Sequence, residues 1–453
     1  MRDLARIGPA SMNLGRRLRL SGSQALALST ILTNLVRIVS TVLLSRLLSP
    51  DVYGLTGMIL SVFYVINLLS DVGFQAYIVR HARSDDLQFL NAVWTIHAAR
   101  GLALATLGIL LSWPVSLLLA EPRLASPLAV ASLTFGIDGL ASLHQYRALR
   151  DGRVPRFALF NLLIAVSQTL SAIVLAIFIR NIWAIVGSML IASVVRVSLS
   201  RSLFQGARHQ PRRDQEVASD LWRFGRAIAL SSALTLIITQ FDKLAMSRIL
   251  SLGQFGTYVI ASTLAVAPIA FAFNYASTIV YPAVAESSRN GASIVDTYYR
   301  CWGRFFYLYA LAGGGLIGGS DLLVRLLYDP RYLPAAQYLS ILAVGTTMAM
   351  LTNSMLNTLV AIGLTRSSVE VNLVRLGWLV VGGVTALLQK NAWTFVFTIG
   401  LIEIPAYCYA AWKMRQLHFI RWGRELSLAA TVLAGLGLGC AATFFGRLLF
   451  PNL

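Results

Sequence analysis

Long apolar runs recur along almost the whole chain and constrain its fold more than any other feature. Most reach or exceed the roughly 20 residues that an α-helix needs to cross a bilayer. Only 13% of the 453 residues are charged, against about 25% in an ordinary soluble domain. These properties exclude a soluble fold, and the unbroken runs exclude an outer-membrane barrel, whose strands alternate apolar and polar residues. Thirteen spans are predicted, at 23–49, 52–80, 88–118, 124–149, 155–180, 182–204, 218–250, 253–285, 293–320, 333–362, 365–389, 392–416 and 424–449.

Basic residues cluster in alternate loops between these runs. Five arginines precede the first run, and four more lie in each of the stretches 147–156 and 201–213. The positive-inside rule assigns these segments to the cytoplasm. The first run is also too long for the apolar core of a signal peptide. We therefore expect a cytoplasmic N-terminus and interpret the net charge of +19 as a topological signal rather than as a nucleic-acid-binding surface.

A short motif occurs twice, 202 residues apart. The sequence SRLLS at 45–49, followed by Tyr-Gly at 53–54, corresponds to SRILS at 247–251, followed by Phe-Gly at 255–256. An even number of predicted spans separates the copies, so both halves have the same orientation. We therefore expect an all-α integral membrane protein with two six-helix lobes related by pseudo-two-fold symmetry about the membrane normal. The expected parts are a cytoplasmic basic segment 1–22, an N-terminal lobe 23–204, a cytoplasmic linker 205–217, a C-terminal lobe 218–416 and an additional transmembrane segment 417–453.

Polar residues form one face of three predicted spans. Their spacing of three and four residues is that of a helix face. Because unpaired polar groups are costly in hydrocarbon, such faces should turn away from lipid and line a cavity between the lobes. The stripes are Thr30, Thr33, Arg37 and Ser40 in the first span, Ser232, Thr235, Thr239 and Asp242 at the equivalent positions of the seventh, and Tyr64, Asn67, Asp71 and Gln75 in the second.

Ionisable residues near the middle of a span are the sharpest functional signal, since each costs about 2.5–3.5 kcal/mol on insertion. Arg100 and Asp138 lie at equal distances from the turn between the third and fourth spans, so we expect them to form an ion pair. Arg375 and Glu403 are placed in the same way about the turn between the eleventh and twelfth spans, which predicts a second pair.

Arg37 and Asp242 have no charged partner across a turn. Arg37 is a candidate for binding an anion in a transport cavity, because a guanidinium binds phosphate through paired hydrogen bonds. The alternative is an Arg37–Asp242 ion pair that holds the lobes together. Asp242 is also a candidate for binding a coupling proton or sodium ion. The sequence contains no nucleophile motif, phosphate-binding loop or metal-ligand spacing, so we expect no enzyme activity, no cofactor and no metal site.

Several motifs resemble the polysaccharide-transporter branch of the MOP flippase superfamily. The most specific is LSRLLSPDVYGL at 44–55, directly after the first span. The others agree in order and spacing and extend the resemblance over about residues 23–416. They are Asp71-Val72-Gly73-Phe74, Arg223-Phe224-Gly225, Gln240-Phe241-Asp242-Lys243 with Gly253 and Tyr258, and Tyr281-Pro282-Ala283.

The resemblance implies a flippase of the bacterial inner membrane that moves undecaprenyl-pyrophosphate-linked oligosaccharide repeat units for O-antigen, capsule or exopolysaccharide synthesis. It also implies alternating access of two lobes around a cationic cavity. The implied partners are the lipid-linked oligosaccharide and bacterial membrane lipids, with a polysaccharide polymerase and a chain-length regulator as further candidates. Family members usually have 12 or 14 helices, which differs from the 13 spans predicted from this sequence.

The polar and charged residues of the spans divide into two groups of candidate site residues. One group would contact the substrate and the other would couple transport to an ion or gate it. The substrate-binding candidates are Thr33, Asn34, Arg37, Asn67, Arg100, Thr239 and Arg375, and the coupling or gating candidates are Asp71, Asp138, Asp242 and Glu403.

Other functions are alternatives at this point. Within the superfamily these are a cation or drug antiporter, which should line its cavity with unpaired carboxylates, and a peptidoglycan-precursor flippase. A membrane enzyme such as a sugar-chain polymerase would need a substantial external loop, and the longest predicted one covers only about 321–332. A structural component of a polysaccharide assembly complex predicts that replacing Arg37 has no effect.

Overall fold

The computed structural model describes residues 22–70, 72–204, 206–389 and 391–449. Side chains 22–27, 227–239, 270, 271, 274, 278 and 387 lie outside this description. Within it all regular secondary structure is helical. The first eight helices are α1 Gly22–Leu47, α2 Pro50–Ser70, α3 Phe74–Arg80, α4 Leu87–Leu118, α5 Ala125–Gly139, α6 His144–Arg150, α7 Val154–Ile179 and α8 Ile182–Ser202. The others are α9 Gln215–Ile249, α10 Leu252–Tyr275, α11 Tyr281–Arg289, α12 Ile294–Leu327, α13 Ala335–Ala361, α14 Arg366–Gln389, α15 Ala392–Gly400, α16 Glu403–Gln416 and α17 Trp422–Leu449.

The helices match the predicted membrane spans. In the described part of the chain, 11 stretches are long and apolar enough to cross a membrane. Helices α5 and α6, which meet at a bend of 59°, give a twelfth when they are counted as one broken span. The remaining predicted span, 218–250, corresponds to α9, a helix of 35 residues. The protein is therefore an all-α, multi-pass membrane protein, as predicted.

Helix α12 continues beyond its predicted end at residue 320. The charged residues Asp321 and Arg325 follow that position. In the structure Asp321 accepts hydrogen bonds from Arg325 one turn later and from Arg447 of α17, each at 2.9 Å. Because the carboxylate is paired on both sides, the helix accommodates these charges and extends to Leu327, which shortens the loop to α13.

Helices α12 and α17 approach each other at a distance that only glycine permits. A Cβ atom at Gly314 would lie 2.0 Å from the Val432 carbonyl oxygen, and one at Gly439 would lie 2.5 Å from that of Gly315. Small residues allow membrane helices to pack backbone against backbone. This close packing attaches the additional helix α17 to α12.

Helices α2 and α10 meet near their N-termini, where the repeated motif lies. A Cβ at Gly54 would lie 2.4 Å from the Leu252 carbonyl oxygen, and one at Gly256 would lie 1.9 Å from that of Pro50. Leu252 and Gly256 follow Pro50 and Gly54 by 202 residues, so each contact is the exchanged copy of the other. Such reciprocity is the geometry of a two-fold axis, which agrees with the predicted pseudo-symmetry. We call this the α2–α10 contact.

The connection between α12 and α13 closes the same end of the molecule. Tyr332 donates a hydrogen bond to the Leu48 carbonyl at 2.9 Å, and the hydroxyls of Tyr328 and Thr41 lie 3.1 Å apart. Away from this end, α1–α8 pack mainly on one another, as do α10–α17, while α9 contacts helices of both groups. We refer to these two groups as the N-terminal and C-terminal halves.

Candidate functional site

A cavity of about 720 Å³ lies in the C-terminal half, among α9, α10, α13, α14 and the break between α15 and α16. Tyr64 of α2, in the N-terminal half, also lines the cavity. The lining extends to Val360 and Ser368, where α13 ends and α14 begins, opposite to the end closed by the α2–α10 contact. The volume is typical of a small-molecule site.

Uncharged polar residues line the cavity from two helices, each on a single helix face. Sequence reasoning found polar faces in the first, second and seventh spans but missed those of the tenth and eleventh, although the same helical spacing was visible there. The residues are Thr346, Asn353 and Asn357 on α13, and Ser368 and Asn372 on α14.

The predicted ion pair between Arg375 and Glu403 is confirmed. The guanidinium of Arg375 donates a hydrogen bond to the Glu403 carboxylate at 2.9 Å and another to Asn372 Oδ1, also at 2.9 Å. Glu403 begins α16, directly after the break that follows α15. Both members of the pair line the cavity.

Asp242 is buried and has two partners, neither of which is Arg37. The hydroxyl of Tyr258 donates to Asp242 at 2.8 Å, and the Lys243 ammonium lies 3.5 Å from the same carboxylate. The alternative of an Arg37–Asp242 ion pair is therefore wrong for this structure. Tyr258 lies on α10 across the turn from Asp242, and the search for a charged partner overlooked this neutral donor.

The charges in the cavity cancel. Asp242 is paired with Lys243 and Glu403 with Arg375, so each carboxylate has a cation of its own. The family resemblance implies a cationic cavity, whereas the described lining of this cavity has no net charge. Polarity here comes from amides and hydroxyls.

The predicted pair between Arg100 and Asp138 is wrong. Arg100 donates to the Ser70 carbonyl at 2.8 Å and to the Ser70 hydroxyl at 2.6 Å, at the end of α2. Asp138 instead forms an ion pair with Arg196 of α8 at 3.1 Å. The prediction considered only neighbouring spans joined by a turn, whereas α5 also packs against α8.

The candidates on α1 lie apart from the cavity. Arg37 is exposed, Thr33 and Asn34 are half-buried, and none of them belongs to the described lining of this cavity. Arg37 forms no ion pair or hydrogen bond with a described residue. Helix α1 packs against α7 and also reaches α10 in the C-terminal half.

Three other candidates are placed only in part. The backbone carbonyl of Asn67 accepts a hydrogen bond from Arg100 at 3.3 Å. Thr239 lies on α9 next to Gln240, which lines the cavity, but the side chain of Thr239 is outside the described ones. Asp71 lies outside the described residues. Among the candidates whose side chains the structure describes, Asp242, Arg375 and Glu403 come together at one site.

Sequence comparison shows relatives in polysaccharide biosynthesis. The family model described as polysaccharide biosynthesis protein matches residues 43–337. Lipopolysaccharide biosynthesis protein WzxC of Escherichia coli (strain K12) is 24% identical over 340 residues, which are 73% of this chain and 67% of WzxC. Succinoglycan biosynthesis transport protein ExoT of Rhizobium meliloti (strain 1021) is 22% identical over 250 residues, 54% of this chain and 50% of ExoT.

Structural comparison identifies the fold. The lipid II flippase MurJ, in an inward closed conformation, superposes with a TM-score of 0.71 at 13% identity, covering 94% of this chain and 99% of MurJ. An inward-facing multidrug resistance MATE family transporter of the MOP superfamily has a TM-score of 0.62 at 16% identity, covering 88% and 95%. The fold is thus that of the MOP superfamily, as the motifs predicted. Because the family model matches more than half of its length, the chain belongs to the polysaccharide biosynthesis protein family.

Proposed function

We propose that the protein is a flippase that carries undecaprenyl-pyrophosphate-linked oligosaccharide units across the bacterial inner membrane for O-antigen, capsule or exopolysaccharide synthesis. The observation that carries this proposal is the cavity among membrane-spanning helices, in which polar side chains stand among apolar ones. Both halves border it, and it lies opposite a closed end. A hydrophilic group can cross a bilayer only in such a shielded compartment, since hydrocarbon offers it no hydrogen bonds. Family membership supports the polysaccharide precursor as the cargo.

In this proposal the N-terminus is cytoplasmic, and the end closed by the α2–α10 contact faces outward. The cavity then receives its substrate from the cytoplasmic side. Rocking of the N-terminal lobe 23–204 against the C-terminal lobe 218–416 would separate Gly54 from Leu252 and open the outer end. The lipid tail stays in the bilayer while the hydrophilic head moves between the lobes.

Arg37 is the proposed contact for the diphosphate. An arginine in the middle of an apolar helix is costly, and this one is exposed with no partner among the described residues. Arg375, by contrast, already binds Glu403 and Asn372, which suits it to shaping the cavity. Arg37 therefore remains the better anion-binding candidate, with Arg100 as a second cation near the end of α2.

Asp242 is the proposed group for coupling to a proton or sodium ion. It is buried, borders the cavity and is held by Tyr258 and Lys243. A change in its charge would alter the hydrogen bond to α10, one of the two helices of the α2–α10 contact. Asp138 and Glu403 are secondary candidates, because each already forms an ion pair with an arginine. Asp71 is a further secondary candidate.

The proposal is tested by the sidedness of the lipid-linked oligosaccharide in the native host. The gene is deleted, and a membrane-impermeant sugar-modifying enzyme reports how much precursor is exposed outside. We expect the precursor to accumulate on the inner leaflet, with rescue by the wild-type gene and by Arg208→Ala in the linker, but not by Arg37→Ala. Normal outward display in the deletion strain would overturn the flippase assignment. Full rescue by Arg37→Ala would instead favour a structural role or another anion site.

A further inference from the structure

We infer that the cavity of the C-terminal half binds an uncharged stretch of the saccharide chain, at a site separate from the arginine that contacts the diphosphate. This inference rests on the proposed flippase function and adds a division of labour: α1 binds the anion and the C-terminal half binds the sugars. It is drawn from the charge, the hydrogen-bonding groups and the shape of the cavity.

The charges of the lining leave no attraction for an anion. The Glu403 carboxylate lies 2.9 Å from Arg375, and the Asp242 carboxylate lies 3.5 Å from Lys243. A diphosphate entering here would meet two carboxylates together with two cations that are already neutralised. The carboxylates do not repel a neutral hydroxylated ligand, which exchanges hydrogen bonds with water for hydrogen bonds with the lining.

The neutral polar groups of the lining suit hydroxyl groups. An amide side chain offers both donors and an acceptor, as a sugar hydroxyl does. Asn353 and Gln240 border the cavity, and their side-chain amides form no hydrogen bonds with described residues. The Asn372 carbonyl oxygen accepts from Arg375 at 2.9 Å, which directs this amide and leaves its NH₂ group as a donor. Three helices thus present oriented hydrogen-bonding groups without net charge.

Aromatic rings border the same space. Tyr64 of α2 is 39% exposed and Phe273 of α10 is 54% exposed, and both line the cavity. Such rings pack against the C–H faces of pyranose rings, while the amides bind the hydroxyl edges. Because Tyr64 belongs to the N-terminal half and the amides to the C-terminal half, a sugar bound here contacts both halves.

The inference is tested by separating sugar binding from anion binding in the full-length protein in lipid nanodiscs and proteoliposomes. One probe is the lipid-linked oligosaccharide extracted from the host, and the other is undecaprenyl diphosphate, which carries no sugar. Asn353→Leu removes an amide, and Val266→Trp fills the cavity from an exposed position of its lining. Gln337→Leu makes the same amide-to-leucine change at an exposed position of α13 outside the lining.

We expect Asn353→Leu and Val266→Trp to bind and transport the oligosaccharide about tenfold less well, and to bind undecaprenyl diphosphate as the wild type does. Gln337→Leu should match the wild type with both probes, and retained diphosphate binding shows that the variants are folded. Oligosaccharide transport at the wild-type level by both cavity variants, or an equal loss of binding to both probes, would overturn the inference while leaving the flippase function intact. Absence of oligosaccharide transport by the wild type would instead overturn the proposed function.

Discussion

Arg375 and Glu403 lie 2.9 Å apart across the interface of α14 and α16, with only 11% and 14% of their side chains exposed. Removing one charge from such a pair leaves the other without a partner in a medium that stabilises it poorly. The pair therefore fixes the wall of the cavity in this part of the membrane. It provides no free charge to a ligand.

Glu403→Gln should lower the free energy of unfolding by about 3 kcal/mol, because it leaves the Arg375 guanidinium unpaired. The double variant Arg375→Gln/Glu403→Gln should recover most of this loss. Unfolding in detergent micelles and a double-mutant cycle measure both effects. The exposed pair Arg83–Asp86 is the control and should couple by less than about 1 kcal/mol. Simple additivity of the two single changes at Arg375 and Glu403 would contradict the prediction.

A second cycle distinguishes the observed partner of Asp138 from the expected one. The carboxylate lies 3.1 Å from Arg196, so Asp138→Asn and Arg196→Gln should show a coupling energy of about 1–2 kcal/mol. Asp138→Asn and Arg100→Gln should be additive within about 0.5 kcal/mol. Both are measured by thermal unfolding of the purified protein. Stronger coupling to Arg100 than to Arg196 would show that the hairpin prediction was right after all.

Gly256→Ala should disfavour the closed outer end and lower transport. The added methyl group would lie 1.9 Å from the Pro50 carbonyl oxygen, and backbone must move to relieve that overlap, at a cost of about 1–3 kcal/mol. Labelling of a cysteine introduced at Val259, which is buried against Gly57 of α2, should become faster as α2 and α10 separate. At Gly437 no atom lies within 4 Å of an added Cβ, so Gly437→Ala should leave labelling and transport unchanged. Unchanged labelling in Gly256→Ala would contradict the closing role.

His209 should make the linker sensitive to acid. Its Nε2 atom accepts the Leu143 N–H at 3.1 Å, and its ring is stacked on that of His144. Burial, followed by the nearby His144 and Arg201, lowers the pKa of His209 to about 4. The folded protein thus keeps this ring neutral where an unfolded histidine, with a pKa of about 6.5, takes up a proton. Its contribution to stability is present above about pH 6.5 and is lost as the pH falls from there towards 4.

The measurement for His209 is the pH dependence of unfolding between pH 7.5 and 5. The wild type should lose more stability over this range than His209→Gln, which keeps a polar side chain but cannot titrate. Parallel curves for the two proteins would exclude His209 as the titrating group.

Features that depend on neighbours in sequence were predictable. The Arg375–Glu403 pair follows from two helices joined by a short turn. The repeat at an offset of 202 residues predicted two lobes related by pseudo-two-fold symmetry, and the reciprocal contacts of Gly54 and Gly256 agree with it. The partner of Asp138 was not predictable in this way, because α8 reaches α5 only through tertiary packing. The amides of the cavity were missed for a different reason: polar faces were identified only in the first, second and seventh spans, and Asn353, which carries no charge, lies in the tenth.

The α2–α10 contact also bears on how such a chain could arise. Pro50 meets Gly256 as Leu252 meets Gly54, so one patch of surface, present in both halves, binds its own copy. Two separate half-length chains carrying this patch could form a symmetric homodimer through the same contact. Gene duplication and fusion would then join partners that already recognised each other, and the two halves could afterwards diverge, one keeping the exposed arginine and the other acquiring the amide-lined cavity.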